Sequence, residues 1–321
     1  MELCNKTCWV LTEGIAGTEN QCLGLAEAAG LTPQVKRVKL KFPWKQLSPW
    51  LNWGHKYAPT SDSSPIAPPW PDVLIASGRK SIGLALYIKK ASKGKTFLVQ
   101  IQDPRISNSS FDLIIVPQHD PSRGENIFVT TSSLNRVSSE KINAAAQKYA
   151  DKFSDIPKPY AAVLIGGNSR AHTMTEERTT LLANQLRSLA EKGTGLFVTA
   201  SRRTGDKNSN ILKNILNHKN IYFWDGTGEN PYFGFLGLAT YIIVTEDSAS
   251  MASDALATGK PVYIAKLDGG SPRFERMHRL LQEQGYTRPF EGKLESWSYE
   301  PPNDTLKAAH EIKRRMNLKG L

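Results

Sequence analysis

What most constrains this 321-residue chain is that its apolar residues come in short, unbroken runs. They recur from end to end: CWVL, QVKRVKLKF, DVLIAS, TFLVQI and DLIIVP, then AAVLIGG, GLFVTAS, IYFW, YIIVT and PVYIA. Most do not alternate with polar residues, the pattern of strands buried on both faces of a parallel sheet. Helical patterns such as NQCLGLAEAAG, SIGLALYIKKA and EERTTLLANQLRSLAEKG lie between them. Strand alternating with helix predicts an α/β fold. Pro157 and Pro159, in FSDIPKPYAA just before a new strand, read as a linker that divides the chain into domains 1–157 and 158–321.

Each half opens on the same plan. The first has WVLTEGIAGTENQCLGLAEAAG: a strand, a loop with Gly14 and Gly17, and a helix that Thr18 and Gln21 would start as a capping box. The second has AVLIGGNSRAHTMTEERTTLL: a strand, Gly166-Gly167, a polar loop, and a helix for Thr173 and Glu176 to cap. Both leave backbone N–H groups free near a helix N-terminus, where an anion is favourably bound, or else the glycines only turn the chain tightly. Neither is a Gly-x-Gly-x-x-Gly or Walker loop.

A third segment, SASMASDALATGKPVYI, follows directly on the apolar run YIIVTED. Ser248 and Ser250 suit a helix start whose amides hold a diphosphate, and Asp254, about a turn further, lies within reach of a ribose hydroxyl pair. Gly259 suits a left-handed helix end, with Lys260-Pro261 leading into the next strand. An ordinary buried α/β helix is the alternative.

This order of Ser-rich turn, helical acid, Gly-x-Pro and strand resembles the donor site of GT-B glycosyltransferases. It is similar to that of the N-acetylglucosaminyltransferase of peptidoglycan lipid intermediates and of UDP-sugar 2-epimerases. In those relatives the acid that grips the ribose is usually Glu; Asp254 is one methylene shorter. Over nearly the whole chain, WVLTEGIAGTENQCLGLAEA, PDVLIASGRKS, QIQDPR, DLIIVPQHD, IGGNSRAH, TASRRTG and TEDSASMASDALATGKPVYI with DGGSPRFERMH resemble the Elm-type mitochondrial-fission family, in its alphaproteobacterial form. That resemblance implies a GT-B-like fold: two Rossmann-like domains facing a cleft, with a C-terminal helix crossing back to the first. It also implies metal-independent transfer, inverting by preference, of a sugar from a nucleoside diphosphate, UDP foremost, to a lipid-linked or lipopolysaccharide-type acceptor of the cell envelope. A membrane-surface adaptor without catalysis and a UDP-sugar epimerase are the alternatives.

On that template the donor contacts fall to Gly166, Gly167, Asn168 and Ser169, to Ser201, Arg202 and Arg203, to Trp224, to Ser248, Ala249, Ser250 and Met251, and to Asp254 and Glu275. Two guanidiniums at a strand end would neutralise a diphosphate. A base for the acceptor hydroxyl is sought in the first half, at Asp103, His119 or Glu13, with Asp120 behind them. Gly14, Gly17, Thr18 and Asn20 form the acceptor-side loop. No Asp-x-Asp pair occurs and the histidines stand singly, so no metal or other cofactor is expected.

A net charge of +11 asks for an anionic partner, and without a recognised nucleic-acid module that partner is a nucleotide sugar or a membrane surface. QVKRVKLKFPWKQLSPWLNWGHKYAP sets basic residues beside Trp44, Trp50 and Trp53, which suits an anionic bilayer interface; VKRVKLKF also alternates as a half-exposed strand does, and both readings stand. Cys4, Cys8 and Cys22, without Cys-x-x-Cys spacing, read as reduced thiols, and no run is long enough to span a membrane. The expected location is the cytoplasm, peripheral on the inner membrane. The last helix, NDTLKAAHEIKRRMNLKGL, should bury Leu306, Ala309, Ile312 and Met316.

Overall fold

The computed structural model describes residues 3–51 and 53–321. The chain forms two compact units: residues up to Arg136 together with Asn303–Leu321, and Val137–Pro302.

Unit 1 is a parallel sheet of β1 (Cys8–Thr12), β2 (Pro33–Arg37), β3 (Val73–Ser77), β4 (Phe97–Ile101), β5 (Leu113–Pro117) and β6 (Ile127–Thr130), in the order β2-β1-β3-β4-β5-β6. Every residue of β1, β3, β4 and β5 is buried, which is why those runs do not alternate. β2 sits at the sheet edge, and only its PQVKR part is a strand; Gln34 and Arg37 are exposed, whereas Lys36 is buried with its ammonium 4.4 Å from the centre of the Trp9 ring. Helices α1 (Ala16–Ala28) and α3 (Ile82–Ala91) cover the sheet, and α2 (Trp44–Leu47) is a single turn.

Unit 2 begins with α4 (Ser139–Ala150), then runs β7 (Tyr160–Ile165), β8 (His172–Thr173), α5 (Glu176–Glu191), β9 (Gly195–Ala200), α6 (Gly205–Ile215) and β10 (Ile221–Trp224). It continues with α7 (Tyr232–Leu238), β11 (Tyr241–Thr245), α8 (Ala249–Leu256), β12 (Val262–Ala265), β13 (Asp268–Gly269), α9 (Pro272–Glu283) and β14 (Thr287–Pro289). The main sheet is parallel, in the order β10-β9-β7-β11-β12-β14; β13 pairs antiparallel with β8.

The division between units falls some twenty residues before the proline pair that suggested it. The reason is α4. It packs on α7 through two glycines: a Cβ on Gly234 would lie 2.5 Å from the Tyr149 ring, and one on Gly237 2.2 Å from the Ile142 carbonyl oxygen. Phe153, just beyond α4, then enters the unit 2 core against Phe197, Tyr222 and Phe235, with ring centroids 4.7–5.9 Å apart.

The chain returns to unit 1 as α10 (Asp304–Leu318), which packs on α1. Ala308, Ala309, Ile312 and Met316 are buried there with Leu25 and Ala26. Leu306, expected on that face, is instead exposed, because the buried stripe starts a turn off and leads with Asp304. The buried Asp304 carboxylate accepts from Thr131 N (3.0 Å), Ser132 N (2.8 Å) and Ser132 Oγ (3.1 Å). Removing such an acceptor strands three donors, so Asp304→Ala should lower the unfolding free energy by about 3 kcal/mol in urea melts. A loss under about 1 kcal/mol would show that α10 is held by its apolar face alone.

Candidate functional site

In unit 2 the strand order reverses between β7 and β11: β9 and β10 continue on one side, β12 and β14 on the other. Loops at the carboxyl ends of two such strands part and leave a place for a ligand. Gly166-Gly167 follows β7, Ser201–Arg203 follows β9, and Glu246–Ser248 follows β11. The Asp247 carboxylate, whose side chain is 0% exposed, joins all three. Its Oδ2 accepts from Gly167 N (3.1 Å) and pairs with Arg203 Nη1 (2.7 Å), and Oδ1 accepts from Thr245 Oγ1 (2.6 Å), which in turn accepts from Gly166 N (2.7 Å). Ser201 Oγ and Thr204 Oγ1 both donate to the Gly166 carbonyl at 2.6 Å.

This packing explains the glycines. A Cβ on Gly166 would lie 2.2 Å from Asp247 Oδ2; one on Gly167, whose φ is +136°, would lie 2.3 Å from the Arg203 carbonyl oxygen. It also corrects an expectation. The Gly166–Ser169 amides are not free for an anion, since Asn168 N donates to Arg203 O (2.9 Å) and Ser169 N to His172 O (2.9 Å) as well. The cap of α5 is Thr175, not Thr173; its hydroxyl accepts from Arg178 N, while Thr173 pairs with Asp268 in the small sheet. In unit 1 the Thr18–Gln21 box is likewise absent: α1 has already begun, and Thr18 Oγ1 donates back to Ile15 O (3.0 Å).

The helix after β11 follows the expectation more closely. Ser248 caps α8 by accepting from Met251 N (3.3 Å), placing Ala249, Ser250 and Met251 in the first turn, beside Asp247. Gly259 has φ +71°, and Lys260 Nζ donates to the Leu236 and Gly237 carbonyls, both at 2.7 Å, so the Gly-Lys-Pro stop also closes the end of α7. Asp254, on the same helix, accepts from Tyr232 Oη at 2.8 Å. Arg203 has its partner in Asp247, whereas Arg202 is exposed and has no ion-pair partner among the described residues. Trp224 and Glu275 stand outside the Asp247 network: the indole donates to Thr227 O (2.8 Å), and Glu275 lies in the first turn of α9, which Ser271 caps. Asp247, Thr245 and Tyr232 were missed from the sequence, although the acids of TED, set between an apolar strand and a capping serine, mark such a position.

Unit 1 reverses its order between β1 and β3. Glu13, after β1, pairs with Lys80, after β3, at 2.5 Å. Gly14 has φ +80°, while Gly17, Thr18 and Asn20 lie within α1. Asp103, after β4, accepts from Arg105 N and Ser122 Oγ, both at 2.8 Å, and so ties its loop to the one after β5. His119 and Asp120, in that loop, are buried.

These two Rossmann-type units, with the terminal helix returned to the first, define a GT-B-like chain. Among solved structures, it is similar to UDP-GlcNAc 2-epimerase from Neisseria meningitidis bound to UDP-GlcNAc, at 14% identity and TM-score 0.52, covering 98% of this chain and 100% of that one. A UDP co-structure of MnaA from S. aureus gives 13% identity and TM-score 0.53 over 98% and 97%. At these identities the likeness is one of fold. The mitochondrial fission ELM1 family model matches residues 16–316, and the chain belongs to that family. Mitochondrial fission protein ELM1 of Arabidopsis thaliana is 28% identical over 97% of this chain and 91% of its own length. An uncharacterized protein of Rickettsia prowazekii (strain Madrid E) is 30% identical over 95% and 97%.

Burial pushes the Asp254 carboxyl up to about 7, against the smaller opposing pull of the Tyr232 hydroxyl. A raised carboxyl value means that the folded state binds a proton the unfolded chain has released. Stability is therefore lost as pH climbs from the ordinary carboxyl range through about 7. Asp254→Asn should leave stability near pH 4 unchanged and raise it near pH 8, by up to about 4 kcal/mol. An equal effect at both pH values in urea melts would contradict a carboxyl held neutral.

Proposed function

We propose that this chain is a glycosyltransferase whose unit 2 holds a nucleoside-diphosphate sugar, UDP-linked, and whose acceptor belongs to the cell envelope. One observation carries the reading. Asp254 is part-buried on the helix whose N-terminus abuts the Asp247–Arg203 network, and among the described residues Tyr232 is the one seen to hydrogen-bond its carboxylate. Asp254 lies five residues beyond Ala249, about 7.5 Å along the axis, a separation that suits a ribose and its diphosphate. An ionised carboxylate accepts from both hydroxyls of a ribose, and those donors would offset the burial that disfavours its charge.

At the other end, the positive pole of α8 and the guanidiniums of Arg202 and Arg203 favour an anion. Asp247 takes one Nη of Arg203, whose side chain is 41% exposed, and the rest of its donor fork is open to a phosphate. The solved structures of similar fold include proteins named for UDP and UDP-GlcNAc, which supports a uridine nucleotide here.

Thermal denaturation tests this directly. UDP or UDP-GlcNAc at a hundredfold excess over its dissociation constant should stabilise the folded chain by about 2.7 kcal/mol, read as a melting shift of several degrees. Asp254→Ala should abolish the shift, and Arg202→Ala should weaken it. No shift with any nucleotide or nucleotide sugar would remove the reading. The second reading, a UDP-sugar epimerase, is favoured by the names of the similar structures. Incubation with UDP-GlcNAc alone separates the two, since an epimerase converts it without an acceptor and a transferase does not.

A further inference from the structure

The basic, tryptophan-rich segment of unit 1 is not used by the nucleotide reading. It is a closed loop: Leu40 bridges Pro59, and Lys41 N donates to Ala58 O at 3.0 Å. Within it, Ser48 Oγ donates to Arg79 O (2.8 Å) and Trp44 Nε1 to Trp53 O (2.9 Å). The His55 ring lies so close on α3 that a Cβ at Gly83 would come within 2.2 Å of it. The loop is therefore pinned to the unit at several points, yet it does not hide its apolar side chains. Phe42, Leu47, Trp50, Trp53 and Tyr57 are 49–76% exposed and make up half of the ten exposed large apolar residues among the described residues. Singly exposed apolar residues are ordinary, but five within sixteen residues on one fixed loop form a patch that calls for a partner.

Charge identifies the partner. No acidic residue occurs from 28 to 61, while Lys41, Lys45 and Lys56 lie in or beside the patch and are exposed. Arg79 stands over the Trp50 ring, 5.7 Å from its centroid. A groove of about 520 Å³ lined by Trp50, Trp53, Leu86, Tyr87, Ile106 and Lys90 opens alongside, adding another cation. Tryptophans with phenylalanine and leucine settle at the boundary of headgroups and acyl chains, and surrounding lysines are drawn by anionic headgroups. A phosphate-bearing polymer would satisfy the lysines and leave Phe42 and Leu47 in water.

We propose that residues 41–51 and 53–58 are the surface by which this protein docks on a bilayer carrying anionic lipid. The test uses the full chain and sedimentation with vesicles of phosphatidylcholine alone, or of phosphatidylcholine and phosphatidylglycerol in equal parts. Binding is expected to the mixed vesicles only, with a blue shift of tryptophan emission, and should fall steeply as salt is raised. Replacing Lys41, Lys45 and Lys56 by Gln should weaken binding about five-fold for each lysine. Trp50→Ala with Trp53→Ala should weaken it at least about ten-fold without changing the melting temperature or the nucleotide-induced shift, because both rings are exposed. Equal binding to the neutral vesicles, or undiminished binding by the tryptophan variant, would overturn the proposal. So would self-association of the wild-type chain that the tryptophan variant loses while neither binds vesicles, since the patch would then join two copies. Because no nucleotide enters the vesicle-binding measurements, their failure leaves the reading of unit 2 untouched.

Discussion

A carboxylate without solvent exposure is costly to bury, by several kcal/mol, unless it is paired with a cation and hydrogen-bonded through both oxygens. Asp247 of unit 2 meets that condition with one guanidinium, one backbone amide and one hydroxyl. These donors belong to the loops after β9 and β7 and to the end of β11, so satisfying the charge fixes the three segments against each other. The same demand makes Gly166 and Gly167 obligatory, because a side chain at either would occupy the space of the carboxylate or of the Arg203 backbone. The geometry around the start of α8 is thus a consequence of one buried charge.

The strands were legible because burial on both faces leaves little choice of residue: all six positions of β7 and all five of β3 are buried, and both read as unbroken apolar runs. The unit boundary was not legible. It depends on Gly234 and Gly237 lying under Tyr149 and Ile142, a contact across some ninety residues that no local pattern announces. Helix starts were shifted for a related reason. A Thr followed three residues on by Gln or Glu describes Thr18 and Thr173 as well as it describes a cap, and tertiary pairing decided otherwise, with Thr173 drawn into the strand opposite Asp268.

Within the site, local order was a better guide than loop composition. Ser248 and Gly259 stand as a cap and a left-handed stop, and Asp254 as an acid on the helix between them, because a helix and its two ends are set by neighbours a turn away. Asp247 escaped notice because its role rests on Arg203 and Gly167, 44 and 80 positions distant. The glycine-rich loop looked like an anion cradle, but its amides are turned to internal acceptors, so positive charge at this place comes from the arginines and from the pole of α8.

The two units share a device and differ in its strength. In each, an acid at the point where strand order reverses holds a cation from a neighbouring loop: Glu13 with Lys80, and Asp247 with Arg203. In unit 1 both side chains keep some exposure, 18% and 39%, and such a pair is worth no more than about 1 kcal/mol, so Lys80 can exchange partners at little cost. In unit 2 the acid is fully buried, and removing its cation would leave a stranded charge at a cost of about 3–5 kcal/mol. Arg203 therefore cannot leave Asp247 to meet a phosphate. On the proposed reading it would meet a phosphate only with the donors of its planar fork that Asp247 does not use. A lysine at 203 would offer a point charge without that second set of directed donors. The structure thus favours arginine there on geometric grounds, while Arg202 beside it, exposed and unpaired among the described residues, keeps its freedom to move.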